Sequence, residues 1–180
     1  MSNIAIRAAS PGDVPALTRI YAHAVRYGVA TFELEPPDES EMARRQRALL
    51  DAGFPYLVAE RDSVIAGYAY AGPYRARPGY DWTIEDSIYV AEEAQRRGVG
   101  HALLARLIVA SEARGFRQMI AVIGDSANVA SIELHRAAGF DMVGTYTAVG
   151  FKFGRWLDSV LMQRALGEGA TSAPASLRRA

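Results

Sequence analysis

Cysteine is absent from this 180-residue chain, which excludes disulfides, thiolate nucleophiles and cysteine-based metal sites. Histidine is scarce: His23, His101 and His135 do not fall at the spacing of a helical zinc motif, so no metal is expected. There is no surplus of either charge. Twenty Lys and Arg cancel twenty Asp and Glu, whereas a nucleic-acid or anionic-membrane partner needs a basic excess to neutralise phosphates. Long apolar runs are missing too, and the first residues have neither the apolar core nor the cleavage site of a secretory signal. What is left is the expectation of a cytoplasmic protein that acts on small molecules or proteins. Half of its residues are apolar, enough for one domain over residues 1–166 to bury a core unaided.

Periodicity supplies the order of elements. Residues 4–7 alternate as a short strand, and Ser10-Pro11-Gly12-Asp13 starts a helix with Val14, Leu17, Ile20, Tyr21 and Ala24 on one face. The prolines of 33–38 make a rigid connector before an amphipathic helix over 39–52, which Gly53 ends. Runs at 56–61 and 64–70 flank Asp62-Ser63 as a hairpin. A β-rich stretch at 81–90 leads to a helix from Val99 to near Gly115, then to an apolar strand at 118–123 expected to be covered on both faces. A helix over 128–138 closes at Gly139. Strands at 142–149 and 153–163 are expected to turn around Gly150. Residues 167–180, rich in Gly, Ala, Ser and Pro, read as a disordered tail. The order β-α-α-β-β-β-α-β-α-β-β implies an α/β protein with a mixed sheet and helices on both faces.

One segment carries chemistry at once. The strand ending at Val90 runs into Gln95-Arg96-Arg97-Gly98-Val99-Gly100, where a helix begins. The first N–H groups of a helix lack internal partners and, with the macrodipole, form an anion site suited to a diphosphate. Glycine at 98 and 100 lets backbone approach phosphate oxygens, and Arg96 and Arg97 offer direct charge. The spacing fits neither G-x-G-x-x-G nor a P-loop, since no Gly-Lys-Ser/Thr follows.

At these residues the chain resembles the GNAT superfamily of N-acetyltransferases, in which this loop holds the pyrophosphate of acetyl-CoA. The resemblance implies the GNAT fold, a twisted and mostly antiparallel central sheet. It also implies acetyl-CoA as co-substrate, with Ile88, Tyr89, Val90, Arg96, Arg97, Gly98, Val99, Gly100 and His101 along it. A second segment is similar: Asn128 and Ser131 open a helix in the pattern Asn-x-x-Ser-x-x-x-His-x-x-x-Gly-Phe. The family uses such an Asn to hold the pantetheine arm; alternatively, Asn128 is a plain N-cap.

Over residues 4–166 the chain further resembles the phosphinothricin and methionine-sulfoximine acetyltransferases. The strings that carry this are Thr31-Phe32-Glu33, the run from Ala69 to Arg77, Tyr80-Asp81-Trp82-Thr83-Ile84-Glu85, and Lys152-Phe153-Gly154-Arg155-Trp156-Leu157-Asp158. The resemblance implies acetylation of the α-amino group of a small amino acid analogue with tetrahedral phosphorus or oxidised sulfur, by a homodimer. Arg75 and Arg77 are candidate clamps for the substrate carboxylate. Phe32, Glu33, Tyr80 and Trp82 are candidate pocket residues, although the aromatics serve equally as core.

Acetyl transfer needs a neutral amine, and an α-amino group of pKa about 8 is mostly protonated at neutral pH. Glu85 is the expected base. Period-2 alternation puts Glu85 and Asp86 on opposite faces, so only one is expected to line the cleft. A backbone N–H near Tyr89 or Val90 is the candidate oxyanion donor. His135 stands where many family members have the tyrosine that protonates the leaving thiolate; either it serves as that acid or it only contacts the cofactor. Two other readings share the fold, acetylation of a protein N-terminus and a non-catalytic CoA-binding module.

Overall fold

In a computed structural model, which describes residues 4–174, the expected order is found. It runs β1 (Ile4–Ala8), α1 (Val14–Tyr27), α2 (Glu39–Asp51), β2 (Tyr56–Arg61), β3 (Val64–Pro73), β4 (Thr83–Val90), α3 (Val99–Glu112), β5 (Gln118–Gly124), α4 (Val129–Ala137), β6 (Asp141–Lys152) and β7 (Arg155–Ala165). The strands form one sheet in the order β1-β2-β3-β4-β5-β7-β6. Every neighbouring pair is antiparallel except β4 and β5. Helices α1 and α2 cover one face, where Tyr21 meets Tyr89 edge-on at 4.9 Å. On the other lie α3 and α4, where Leu103, Leu104 and Leu107 are fully buried. That stripe is the one periodicity marked.

Local chemistry fixes the element ends. Before α1 the Asp13 carboxylate accepts from the Ser10 backbone N–H at 2.7 Å and from both terminal nitrogens of Arg7 at 2.8 and 2.7 Å. The Asp38 side chain caps α2 by accepting from Glu41 N–H at 2.8 Å. Asp62 and Ser63 both have positive φ, 52° and 64°, the requirement of a two-residue hairpin turn whose twist matches the strands.

Three expectations differ. The last hairpin turns at Phe153 and Gly154, φ 52° and 72°, rather than around Gly150. Gly150 instead pairs with Leu157 inside the hairpin, and a Cβ there would stand 2.8 Å from the Phe32 ring. Glycine at this position makes room for an aromatic wall. Strand β5 is not covered on both faces: Met119, Ala121 and Ile123 are buried, but Val122 is 39% exposed and lines a cavity. The stretch 167–180 is held along its first part, where Glu168 pairs with Arg117 at 3.2 Å and Gly169 N–H donates to Leu166 O. Residues 175–180 lie outside the described residues.

Candidate active site

The parallel ladder between β4 and β5 runs from Thr83↔Gln118 to Asp86↔Ala121 and stops there. Both strands continue, β4 with β3 through Val90 and β5 with β7 through Gly124, so the sheet splits. Two cavities occupy the split. One of about 290 Å³ lies against Glu85, Asp86, Tyr70, Phe32, Val122 and His135. The other, about 480 Å³, extends to Arg96, Gly98, Val99, Gly100 and His101 at the start of α3. Ala30, Ile88, Tyr89, Asn128 and Ser131 line both, so the two are one continuous cleft.

At the α3 end the loop is built as an anion cradle. Arg96 and Gly98 adopt positive φ, 57° and 82°, and the first helical bond is Ala102 N–H to Gly98 O at 3.0 Å. The N–H groups of Val99, Gly100 and His101 therefore have no acceptor in the helix. Around Gly98 the protein leaves the Cβ side open, with the nearest atom, Ile4 Cδ1, at 3.9 Å. The residues fit a diphosphate. Arg97 does not line the cleft as expected; its Nε–H donates to Glu93 O at 3.1 Å, which turns it outward. Asn128 caps α4, with Oδ1 accepting from Ser131 N–H at 3.3 Å, and it also lines the cleft.

At the other end Glu85 and Asp86 both line the cavity, contrary to the expectation from alternation. The cavity is a gap in the sheet rather than one of its faces, so residues of either face rim it. Burial first, and the charge of Asp86 second, push the Glu85 carboxyl up to about 7. On the opposite face Asp86 reaches His135, with Oδ2 3.0 Å from Nε2. His135 Nδ1 lies 2.7 Å from Ser131 O. Burial works to lower the His135 pKa, but the hydrogen bond and charge of Asp86, with the Ser131 carbonyl, outweigh it and leave it raised.

The substrate-side residues are less concentrated than expected. Phe32 lines the cavity. Glu33 turns away to Arg45 at 2.6 Å and accepts from the Tyr21 hydroxyl at 3.0 Å. Arg75 stacks on Tyr74 and Tyr80, 5.1 and 5.8 Å from their ring centres, and neither it nor Arg77, Tyr80 or Trp82 lines the cavity. Their loop does spring from the Glu85 end of β4, since Gly72 pairs with Glu85 and Pro73 with Ile84.

Several lining residues were not singled out from sequence: Val29, Ala30, Tyr70, Ser87, Val122 and Ser159. The string around Lys152 carried a signal whose meaning is now structural. Lys152 is buried, and its ammonium donates to Gly28 O at 2.9 Å and Thr31 O at 2.8 Å, anchoring the loop that presents Phe32. Arg155 grips Asp125 at 2.6 Å, and Asp158 accepts from Ser126 at 2.6 Å and from Ala148 N–H at 2.9 Å. Substituting Lys152→Met leaves two carbonyls without their donor, a loss of about 2–3 kcal/mol. For a domain of this size that corresponds to a melting temperature lower by about 5–10 °C, read by thermal unfolding.

Comparison with known proteins identifies the family. Residues 6–161 match the family model for the acetyltransferase (GNAT) domain. A phosphinothricin N-acetyltransferase of Alcaligenes faecalis is 54% identical over 94% of this chain and 86% of its own length. An L-methionine sulfoximine/L-methionine sulfone acetyltransferase of Salmonella typhimurium is 40% identical over 92% of this chain and 96% of its own. The crystal structure of a phosphinothricin acetyltransferase from Sinorhizobium meliloti in complex with AcCoA superposes with a TM-score of 0.95 at 46% identity, covering 98% of this chain and 99% of that one. The family model spans most of the chain and the overall fold is shared with that acetyltransferase structure, so the chain belongs to the GNAT acetyltransferase family.

Proposed function

We propose that this chain transfers the acetyl group of acetyl-CoA to the α-amino group of a small amino acid analogue of the phosphinothricin, methionine sulfoximine or methionine sulfone type. The observation that carries the reading is Glu85, a largely buried carboxyl on the wall of the cleft at the end away from the α3 cradle, with a pKa of about 7. The α3 cradle and Asn128 hold the cofactor so that its thioester reaches the split, and the amine enters from the side of the 74–82 loop. Phe32 walls its side chain, and Arg75 and Arg77 meet its carboxylate at the mouth.

Glu85 then takes the proton from the ammonium, directly or through a water, and the amine attacks the thioester carbon. Backbone alternation selects the donor for the developing oxyanion. Ala91 N–H donates to Ala66 O on the β3 side, so Val90 N–H, one residue earlier, points to the edge that β5 has left. Collapse expels the thiolate of the cofactor, which takes up the proton that the former amine nitrogen sheds, and leaves the amide and free CoA.

Specificity constants over a panel of amines test the substrate. Phosphinothricin, methionine sulfoximine and methionine sulfone are expected to exceed plain amino acids, and a peptide beginning with alanine is expected to be poor. Preference for that peptide would sink the proposal.

The proposal includes a homodimer in the cytoplasm. Its support is the outer strand β6 with the start of β7, where Val143, Tyr146, Val149, Phe151 and Trp156 are each more than half exposed. Water does not favour such an apolar edge. Light scattering is expected to give twice the chain mass, and Trp156→Glu the single mass with retained fold by circular dichroism. No helix among the described residues is long and apolar enough to cross a membrane.

A further inference from the structure

Asp86 and His135 form a buried pair that the steps above do not use. Asp86 is 6% exposed and His135 4%. They stand at Asp86↔Ala121, the last rung before the sheet splits. The nearest neighbour of each imidazole nitrogen, Ser131 O at 2.7 Å from Nδ1 and Asp86 Oδ2 at 3.0 Å from Nε2, is a hydrogen-bond acceptor, and the Ser131 hydroxyl stands farther from Nδ1 at 3.5 Å. A ring held between two acceptors carries a proton on each nitrogen when the carboxylate is ionised. The ring also meets Phe140 edge-on at 5.1 Å, which fixes its plane.

Stability does not account for this pair. The second carboxylate oxygen, Asp86 Oδ1, is buried with no protein partner among the described residues. Burying a half-satisfied ion pair gains little or nothing over apolar packing of the same volume. Its position does have a consequence for the cleft. Asn128 and Ser131 lie on the first turn of the helix that carries His135, and Glu85 is the residue before Asp86.

We propose that Asp86 is a positioning residue for acetyl transfer: by accepting the Nε2–H of His135 it ties α4 to β4 across the split, and so sets the cofactor grip at Asn128 and Ser131 against the base Glu85. The inference rests on the roles given above to Glu85 and Asn128. It also changes the role of His135. With Nε2–H spent on Asp86 and Nδ1–H on Ser131 O, the ring has no proton directed at the leaving thiolate, and His135 acts through position rather than as the acid.

The titratable groups facing the ring are few. Asp86 comes from β4, Glu85 lies one residue along on the other face, and Glu133 and Arg136 of α4 pair with each other at the surface. A pH titration of the ring therefore reads chiefly the tie itself.

Ring ¹⁵N spectra of the full chain are the direct test. In the wild type His135 is expected to hold both ring protons above pH 6.5, the ordinary midpoint for imidazole, and in Asp86→Asn to lose one at lower pH. Steady-state kinetics of Asp86→Asn are expected to show KM for acetyl-CoA raised about tenfold, the scale of a small misplacement. The acid limb of the rate profile moves to lower pH, because Glu85 loses a neighbouring negative charge. The double variant Asp86→Asn/His135→Gln loses no more than the single one, since the pair acts as a unit. A His135 ring that is neutral at pH 7 in the wild type overturns the proposal, and so does an Asp86→Asn protein with unchanged KM and ring titration. Should Asp86→Asn not fold, the wild-type ring titration decides alone. An active Glu85→Gln enzyme would remove the base assignment, while the ring spectra would still report the tie, so the two failures are distinguishable.

Discussion

Glu85→Gln is expected to lower kcat/KM by roughly 10²- to 10⁴-fold, the usual contribution of a positioned general base. The amide is nearly isosteric and takes no proton, so acetyl-CoA affinity by calorimetry should stay as it was. In the wild type the rate should fall as pH drops through about 7, where the Glu85 carboxyl gains its proton. In the variant that limb should vanish. Stability supplies an independent reading with its own sign. The folded pKa of about 7 lies above the ordinary 4.5, so the folded state binds the proton more tightly than the unfolded one. Folding therefore loses stability as pH rises from 4.5 to 7, and the full penalty stands above 7. Glutamine removes that penalty, so Glu85→Gln should melt higher than the wild type at pH 8. An enzyme that loses activity while gaining stability has given up a strained functional group, not a structural one. Unchanged turnover across pH would remove Glu85 from the mechanism.

Gly98→Val is expected to raise the dissociation constant for acetyl-CoA at least about 100-fold, through two effects that act together. At φ 82° an L-residue is strained by about 1–2 kcal/mol, and a β-branched one by more. The strain alone, relieved by rotating the loop, would take the N–H groups of Val99 and Gly100 off their aim. The new side chain would also project from the loop that forms the cradle, on a side where no protein atom comes closer than 3.9 Å to its Cβ. Because that space is empty of protein, the fold itself should survive. Gly98→Ala separates the terms: it keeps most of the strain and little of the obstruction, and should weaken binding by a smaller factor. Calorimetry with acetyl-CoA and with CoA measures both. Affinity of Gly98→Val equal to wild type would mean that the diphosphate is held elsewhere.

The order of elements was legible because each is announced by its own residues. The stripe Leu103, Leu104, Leu107, Ile108 needs only helical periodicity, and Asp62-Ser63 needs only the turn that two positive φ angles make. The anion cradle at the start of α3 was legible for the same reason. A cradle of successive backbone N–H groups is a contiguous object, and Gly98, Val99 and Gly100 lie together in the chain as in space.

The Glu85 end of the cleft was not legible in this way. Val29, Phe32, Tyr70, Glu85, Val122 and Ser159 converge from separate elements, and no local pattern announces that convergence. Gly150 looked like a turn because glycine often is one; the Phe32 ring against it explains the residue differently. The charge of Arg75 and Arg77 is plain in the sequence, but the stacking of Arg75 on Tyr74 and Tyr80, outside the cavity wall, exists only in the folded loop.

By itself, then, the sequence determined the succession of strands and helices, the anion cradle at 95–100 and the presence of a carboxylate at 85, all set by chemistry between near neighbours. Tertiary structure alone decided that β4 parts from β5 after Asp86, which turns a sheet into a cleft and lets residues of opposite faces rim it. It alone brought His135 to Asp86 across 49 positions of chain. The physical reason is one of range. Backbone periodicity and capping act over a few residues, whereas the burial that pushes up the Glu85 carboxyl and the partners that close both ends of the His135 ring exist only once distant segments have packed.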